Sequence, residues 1–166
     1  NYPKTYTLSL HDALPILEER AGQILFVRCV DEAHEDALMK KNPGGLLMFG
    51  CDFEGLTKKQ VVNKIKRYQS KSRIPLIIGV DEEGGTVVRV SSNPLLAPEK
   101  YASLQEIYKN GGMDALIENA EEKSGLLREL GITINLAPVA DVCVNKTDFM
   151  YDRSMGCDAE ETADCI

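Results

Sequence analysis

Two short stretches carry most of the residue types that could bind or transform a ligand. In the first, residues 79–89, Gly79-Val80 runs into three consecutive acids, Asp81, Glu82 and Glu83. Gly84-Gly85 follows, and Arg89 stands eight residues after Asp81. Three adjacent carboxylates repel one another, so some must be paired or solvated. The glycine pair permits positive φ and close approach of the backbone to another group. A carboxylate accepts hydroxyl hydrogen bonds and a guanidinium donates in a fork, so Asp81 and Arg89 could form a polyol-binding corner. The same residues are equally compatible with a tight turn whose acids face water. Neighbours in an extended segment point to opposite faces, so only Asp81 and Glu83 can face the same way.

The second stretch, residues 135–142 (NLAPVADV), places Asp141 at the end of an apolar run, and residues 148–156 (DFMYDRSMG) bring Arg153. A buried structural pair with Arg153 is the expected reading of Asp141. Arg153 itself lies in an aromatic and polar loop, which suits a sugar but also suits a residue that caps a sheet. No glycine-rich phosphate loop and no Gly-x-Ser-x-Gly turn is present. Five cysteines form no Cys-x-x-Cys pair, and neither histidine, His11 or His34, stands near one in a metal-site spacing. Reduced thiols with no metal and no cofactor are therefore expected, and no histidine is placed to activate Cys51 or Cys157 as a nucleophile.

Bulk properties narrow the partners. The chain has 166 residues with a net charge of -7, against a nucleic-acid surface, which would need a basic footprint. Hydrophobic residues make up 43% and charged residues 27%, a globular composition. No apolar run reaches the ~20 residues of a membrane span. Residues 1–16 (NYPKTYTLSLHDALPI) lack periodicity and a basic start, and HDALPI resembles translated sequencing adapter. That segment is expected to be foreign to the fold, with one domain over residues 17–166; the compartment and the oligomeric state stay open.

These chemical stretches must be positioned by regular elements. Apolar, β-prone runs at residues 23–30, 46–49, 76–80 and 132–136 predict four strands. A polar helix is expected over 31–41, and Asn42-Pro43-Gly44-Gly45 ends it. Thr57 opens another, with Gln60 at the capping-box spacing and Val61, Ile65 and Tyr68 turned inward. The spacing predicts a long helix over 113–130, with Leu116, Ile117, Ala120, Leu127 and Leu130 as its apolar stripe. Glu118, Glu121, Glu122 and Lys123 are then expected to face water. His34 is expected to be an exposed helix residue, and residues 159–166 to begin a last helix. Alternating strands and helices mean a parallel α/β sheet, either part of a closed barrel or an open doubly wound sheet.

The two chemical stretches together resemble glycoside hydrolase family 3. IIGVDEEGGTVVRV is similar to that family's Val-Asp-x-Glu-Gly-Gly-x-Val-x-Arg signature after its third strand. NLAPVADV followed by DRSMG is similar to its Ala-Pro-Val-x-Asp strand and Arg-Ser loop. LEERAGQILFV and GGLLMFG match its opening helix and first two strands, so the resemblance runs from Leu17 to Ile166. It implies the first four strands of a (β/α)8 barrel, in sequential parallel order. The Glu-Gly-Gly form points to the β-N-acetylhexosaminidase branch, acting on terminal N-acetylglucosamine from such sources as peptidoglycan or chitin fragments. A β-glucosidase or β-xylosidase of the same family, and a non-catalytic sugar-binding domain, are the alternatives.

Position by position, the resemblance implies that Asp81 binds sugar hydroxyls and that Arg89 and Arg153 shape the same subsite. Glu83, Gly84, Gly85 and Asp141 then support it, and Thr86 stands where many relatives carry arginine. The family's nucleophilic aspartate, its acid/base histidine and a further Lys-His pair would lie beyond Ile166. Carbohydrate is the only partner implied.

Overall fold

The computed structural model describes residues 17–166; the segment read as foreign, 1–16, lies outside the described residues. Helix α1 (Leu17–Gln23) leads into β1 (Phe26–Val27), α2 (Glu32–Met39) and β2 (Gly45–Met48). Helix α3 (Lys58–Lys71), β3 (Ile77–Val80), the long helix α4 (Leu104–Leu130) and β4 (Ile134–Asn135) follow. A 3-10 turn (Tyr151–Arg153) and helix α5 (Ala159–Cys165) end the chain.

The four strands pair in parallel in the order β1-β2-β3-β4, so every crossover returns beside its own starting strand. Register places Leu46 beside Ile78 and Met48 beside Val80, on one face. That face receives Met39 from α2, Val61, Ile65 and Tyr68 from α3, and Leu127 and Leu130 from α4, all in a single core. Each fully buried aliphatic side chain there contributes about 1.5–3 kcal/mol. The other face carries Phe26, Ile77 and Ile134, all exposed, with Phe26 lying across Gly45 and Gly79. A Cβ on Gly45 would stand 2.5 Å from the Ile77 carbonyl oxygen of the neighbouring strand, so β2 needs glycine there. The helices identified in the core all cover one face and the strands run in chain order. This is the first part of a (β/α)8 barrel, and the doubly wound alternative is excluded.

Local sequence explains each helix start. Asp31 caps α2 by accepting from the His34 N–H at 3.0 Å, and its carboxylate also meets the exposed His34 ring at 2.8 Å. That hydrogen bond holds the Asp31 carboxyl below its ordinary pKa. The capping box of α3 forms as read, with the Thr57 N–H donating to Gln60 Oε1 at 2.8 Å. Ser103 caps α4.

Strands β1, β3 and β4 are shorter than the apolar runs predicted, while β2 has the predicted length, one residue earlier. Residues 23–25 close α1 in place of starting the strand, with Ile24 N and Leu25 N donating back to the Ala21 and Gly22 carbonyls, and only Phe26 and Val27 enter the ladder. The helix predicted over 113–130 forms, and an unpredicted helical segment from Leu104 runs up to it across a break at Gly112, whose φ of 63° and ψ of -152° are not helical. Two expectations about α4 fail. Ile117 and Ala120 are exposed, and Lys123, expected in water, is buried beside Leu116 and Leu127.

Candidate functional site

Strand β3 ends at Val80 and delivers the acidic run to the C-terminal end of the sheet, the end where parallel α/β folds place their sites. Glu82 turns inward and is fully buried. Its carboxylate accepts from the backbone N–H groups of Arg89 at 2.7 Å, Val90 at 2.6 Å and Ser91 at 3.2 Å, and from the Ser91 hydroxyl. Its own backbone is bracketed by Asn135 of β4, which accepts from Glu82 N at 2.9 Å and donates to Glu82 O at 3.1 Å. Glu82 thus folds the return arm, residues 89–91, back against the strand end. That contact decides where Arg89 stands.

Asp81 and Glu83 take the opposite side. Arg89 Nη2 lies 3.7 Å from Asp81 Oδ2, and the two side chains are 27% and 24% exposed. The Arg89 guanidinium sits 5.7 Å from the Phe49 ring centre, and Arg28 covers the same ring at 4.6 Å. Glu83 is only 6% exposed and accepts a two-pronged bond from Arg153, Nε at 2.9 Å and Nη2 at 2.6 Å. This hydrogen bonding raises the Arg153 pKa, and the fields of Asp81 and Asp141 add to the effect. The loop bearing Arg153 is fixed from α4, where Gln105 donates to the Ser154 carbonyl at 3.1 Å and to the Tyr151 carbonyl. Phe149 is exposed beside the Arg153 guanidinium, 5.8 Å from it.

Gly84 and Gly85 have φ of 106° and 61°. The turn closes through Glu83 N and Gly84 N donating to the Val87 carbonyl. The close approach that the glycines allow is to the chain itself. A Cβ on Gly84 would stand 2.1 Å from the Ala102 carbonyl oxygen, and Gly85 N donates to the Tyr101 carbonyl at 2.8 Å.

The residues singled out in the sequence therefore divide. Asp81, Glu83, Arg89 and Arg153 come together at one end of the sheet. Asp141 is exposed on a loop well past β4, so the buried Asp–Arg pair expected of it is instead made by Glu83. Three contributors went unread: Glu82, Asn135 and Lys123, whose ammonium donates to the Glu83 carbonyl at 2.9 Å. For Lys123 a signal existed, since it stands seven residues after Leu116 and four before Leu127, on the apolar stripe.

Chemically the cluster offers two carboxylates and two guanidiniums whose formal charges cancel, which suits a neutral, hydroxyl-rich ligand better than an anion. Asp81 and Glu83 leave the same arm of one turn, so they do not flank a bond as a pair of glycosidase carboxylates must.

Comparison with known proteins agrees with this architecture. The model of the glycosyl hydrolase family 3 N terminal domain matches residues 16–165. Beta-hexosaminidase LpqI of Mycobacterium tuberculosis is 30% identical over 146 residues, covering 84% of this chain and 35% of that protein. The solved structure of M. tuberculosis LpqI superposes with a TM-score of 0.75 at 28% identity, over 92% of this chain and 43% of that one. A family 3 beta-N-acetylglucosaminidase from Paenibacillus sp. FPU-7 superposes with a TM-score of 0.78 at 23% identity, over 92% of this chain and 30% of that one. The chain thus spans about a third of the length of the curated relative, 35%. With the family model matched over residues 16–165 and the barrel strands in place, the chain belongs to glycosyl hydrolase family 3, within its N-terminal domain.

Proposed function

We propose that this chain holds the terminal β-N-acetylhexosamine of a saccharide, N-acetylglucosamine, for hydrolysis by a retaining mechanism. Its nucleophile and acid/base come from polypeptide beyond Ile166. The observation that carries this reading is the state of Asp81. At 3.7 Å its contact with Arg89 is an ion pair rather than a hydrogen bond, and both side chains remain about a quarter exposed. Asp81 therefore keeps acceptor capacity for two sugar hydroxyls, while Arg89 beside it stands ready to donate. Arg153, already oriented by Glu83, supplies a second fixed donor. A retaining enzyme needs a carboxylate attacking the anomeric carbon and an acid protonating the leaving oxygen. The holding residues contribute by fixing the ring, so that binding energy is spent on orientation.

The β-N-acetylhexosamine assignment is supported by the Glu-Gly-Gly form of the acidic turn, and by the relatives named beta-hexosaminidase and beta-N-acetylglucosaminidase. The complete gene product should be assayed with nitrophenyl β-glycosides. Turnover of the N-acetylglucosaminide above the glucoside and xyloside is expected. Preferred cleavage of glucoside or xyloside would replace this assignment with a β-glucosidase or β-xylosidase. Sugar binding without turnover would leave a non-catalytic binding domain.

A further inference from the structure

The acidic turn is held from beneath by a residue that the sugar-holding reading does not use. Lys123 on α4 is 7% exposed, and its Nζ donates to the Glu83 carbonyl at 2.9 Å. The same ammonium stands 5.3 Å from the centre of the Tyr101 ring. Burial pulls the Lys123 pKa below its ordinary value, and the Glu82 and Glu83 carboxylates oppose that pull. A buried ammonium is demanding to accommodate, and a neutral donor could satisfy one carbonyl. Here the cation lies where both carboxylates of the turn act on it, and it touches the two segments that shape the turn. Tyr101 is the second of these. Its carbonyl accepts from Gly85 N at 2.8 Å, and its N–H donates at 3.2 Å to Ser91 Oγ, which in turn donates to Glu82.

We infer that Lys123 is a positioning residue of the sugar site. It fixes the Glu83 backbone, Glu83 aims its carboxylate, and the carboxylate sets the fork of Arg153. This rests on the reading of the site as one that holds a sugar. Its consequence is specific: Lys123 acts on substrate through Arg153 and not by contact.

The test is a double-mutant cycle in the complete gene product, read by steady-state kinetics on p-nitrophenyl N-acetyl-β-glucosaminide. Lys123→Met keeps the stem and removes the charge. It should raise KM about tenfold with kcat moved less than about twofold, the pattern of lost uniform binding. In an Arg153→Ala background the same change should raise KM no further, because the group it positions is gone. Lys123→Arg, which keeps donor and charge, should restore most of the wild-type KM. If Lys123→Met does not fold, Lys123→Gln replaces it with the same expectation. Additive effects in the cycle, or an unmoved KM in the Lys123 variant, overturn the role of Lys123 alone. A wild-type protein that neither turns over nor binds the glycoside overturns the proposed function and Lys123's role with it.

Discussion

Glu83 and Arg153, 70 residues apart in the chain, meet through hydrogen bonds of 2.9 and 2.6 Å and so tie the loop after β3 to the loop after β4. A fork of this kind fixes both direction and distance, which a single charged contact does not. The carboxylate is almost fully covered and the guanidinium is a quarter exposed, so one partner cannot be removed without leaving the other stranded.

Glu83→Gln should therefore lower stability by about 1–3 kcal/mol, the range for a lost charge-assisted hydrogen bond in a covered site. It should also weaken sugar binding, since the Arg153 loop loses its anchor. Urea unfolding of the complete gene product, with titration of N-acetylglucosamine, measures both. Unchanged binding alongside lowered stability would confine the pair to a structural role.

Asp81 should behave in the opposite way. Its ion pair with Arg89 at 3.7 Å is partly solvated and contributes little to folding. Asp81→Ala should leave the melting temperature nearly unchanged while costing about 2–5 kcal/mol of transition-state stabilisation, read as kcat/KM. A variant with wild-type kcat/KM would remove Asp81 from the sugar site.

Glu82 is the folding residue of the three acids. It receives three backbone N–H groups and a hydroxyl in a fully buried position. Glu82→Ala strands all four donors, and a loss of more than about 3 kcal/mol is expected, since each buried unsatisfied group costs about 1–3 kcal/mol. Hydrogen exchange at the amides of Arg89, Val90 and Ser91 should rise before that of β3. Exchange that stays slow at those amides would mean that the return arm holds its place without Glu82.

The contrast among these three neighbours explains what the sequence could convey. Strand alternation was enough to pair Asp81 with Glu83 and set Glu82 apart, because it depends only on backbone geometry. Periodicity likewise located α3 and the 113–130 part of α4, and the Thr57–Gln60 box formed as spaced, since both partners lie within one turn. Contacts between distant segments were not legible. Nothing local marks Asn135 as the partner of Glu82, or Glu83 rather than Asp141 as the partner of Arg153. The lengths of β1, β3 and β4 were overestimated for a related reason. An apolar run shows where a segment is buried, but its ladder ends where the neighbouring strand departs. Lys123 was misjudged because a lysine in a polar series reads as solvated, though its register lay with Leu116 and Leu127.

Residues 1–166 made alone should be inactive and prone to aggregate. Among the described residues, strands β1 and β4 each pair on one side only, so both edges of the sheet offer free backbone groups to another chain. The face opposite the helices leaves Phe26, Ile77 and Ile134 exposed, although barrels bury that face. At about 25 cal/mol per Å² of apolar surface, several large side chains left in water forfeit a sizeable part of the ~5–15 kcal/mol that stabilises a whole domain. Asp81 and Glu83 leave the same turn and Arg153 occupies Glu83, so these two carboxylates do not make a catalytic pair. Size-exclusion chromatography should show aggregate in place of monomer, and the eluate should not hydrolyse an N-acetylglucosaminide. A soluble monomer with measurable turnover would instead place the nucleophile and the acid within these residues.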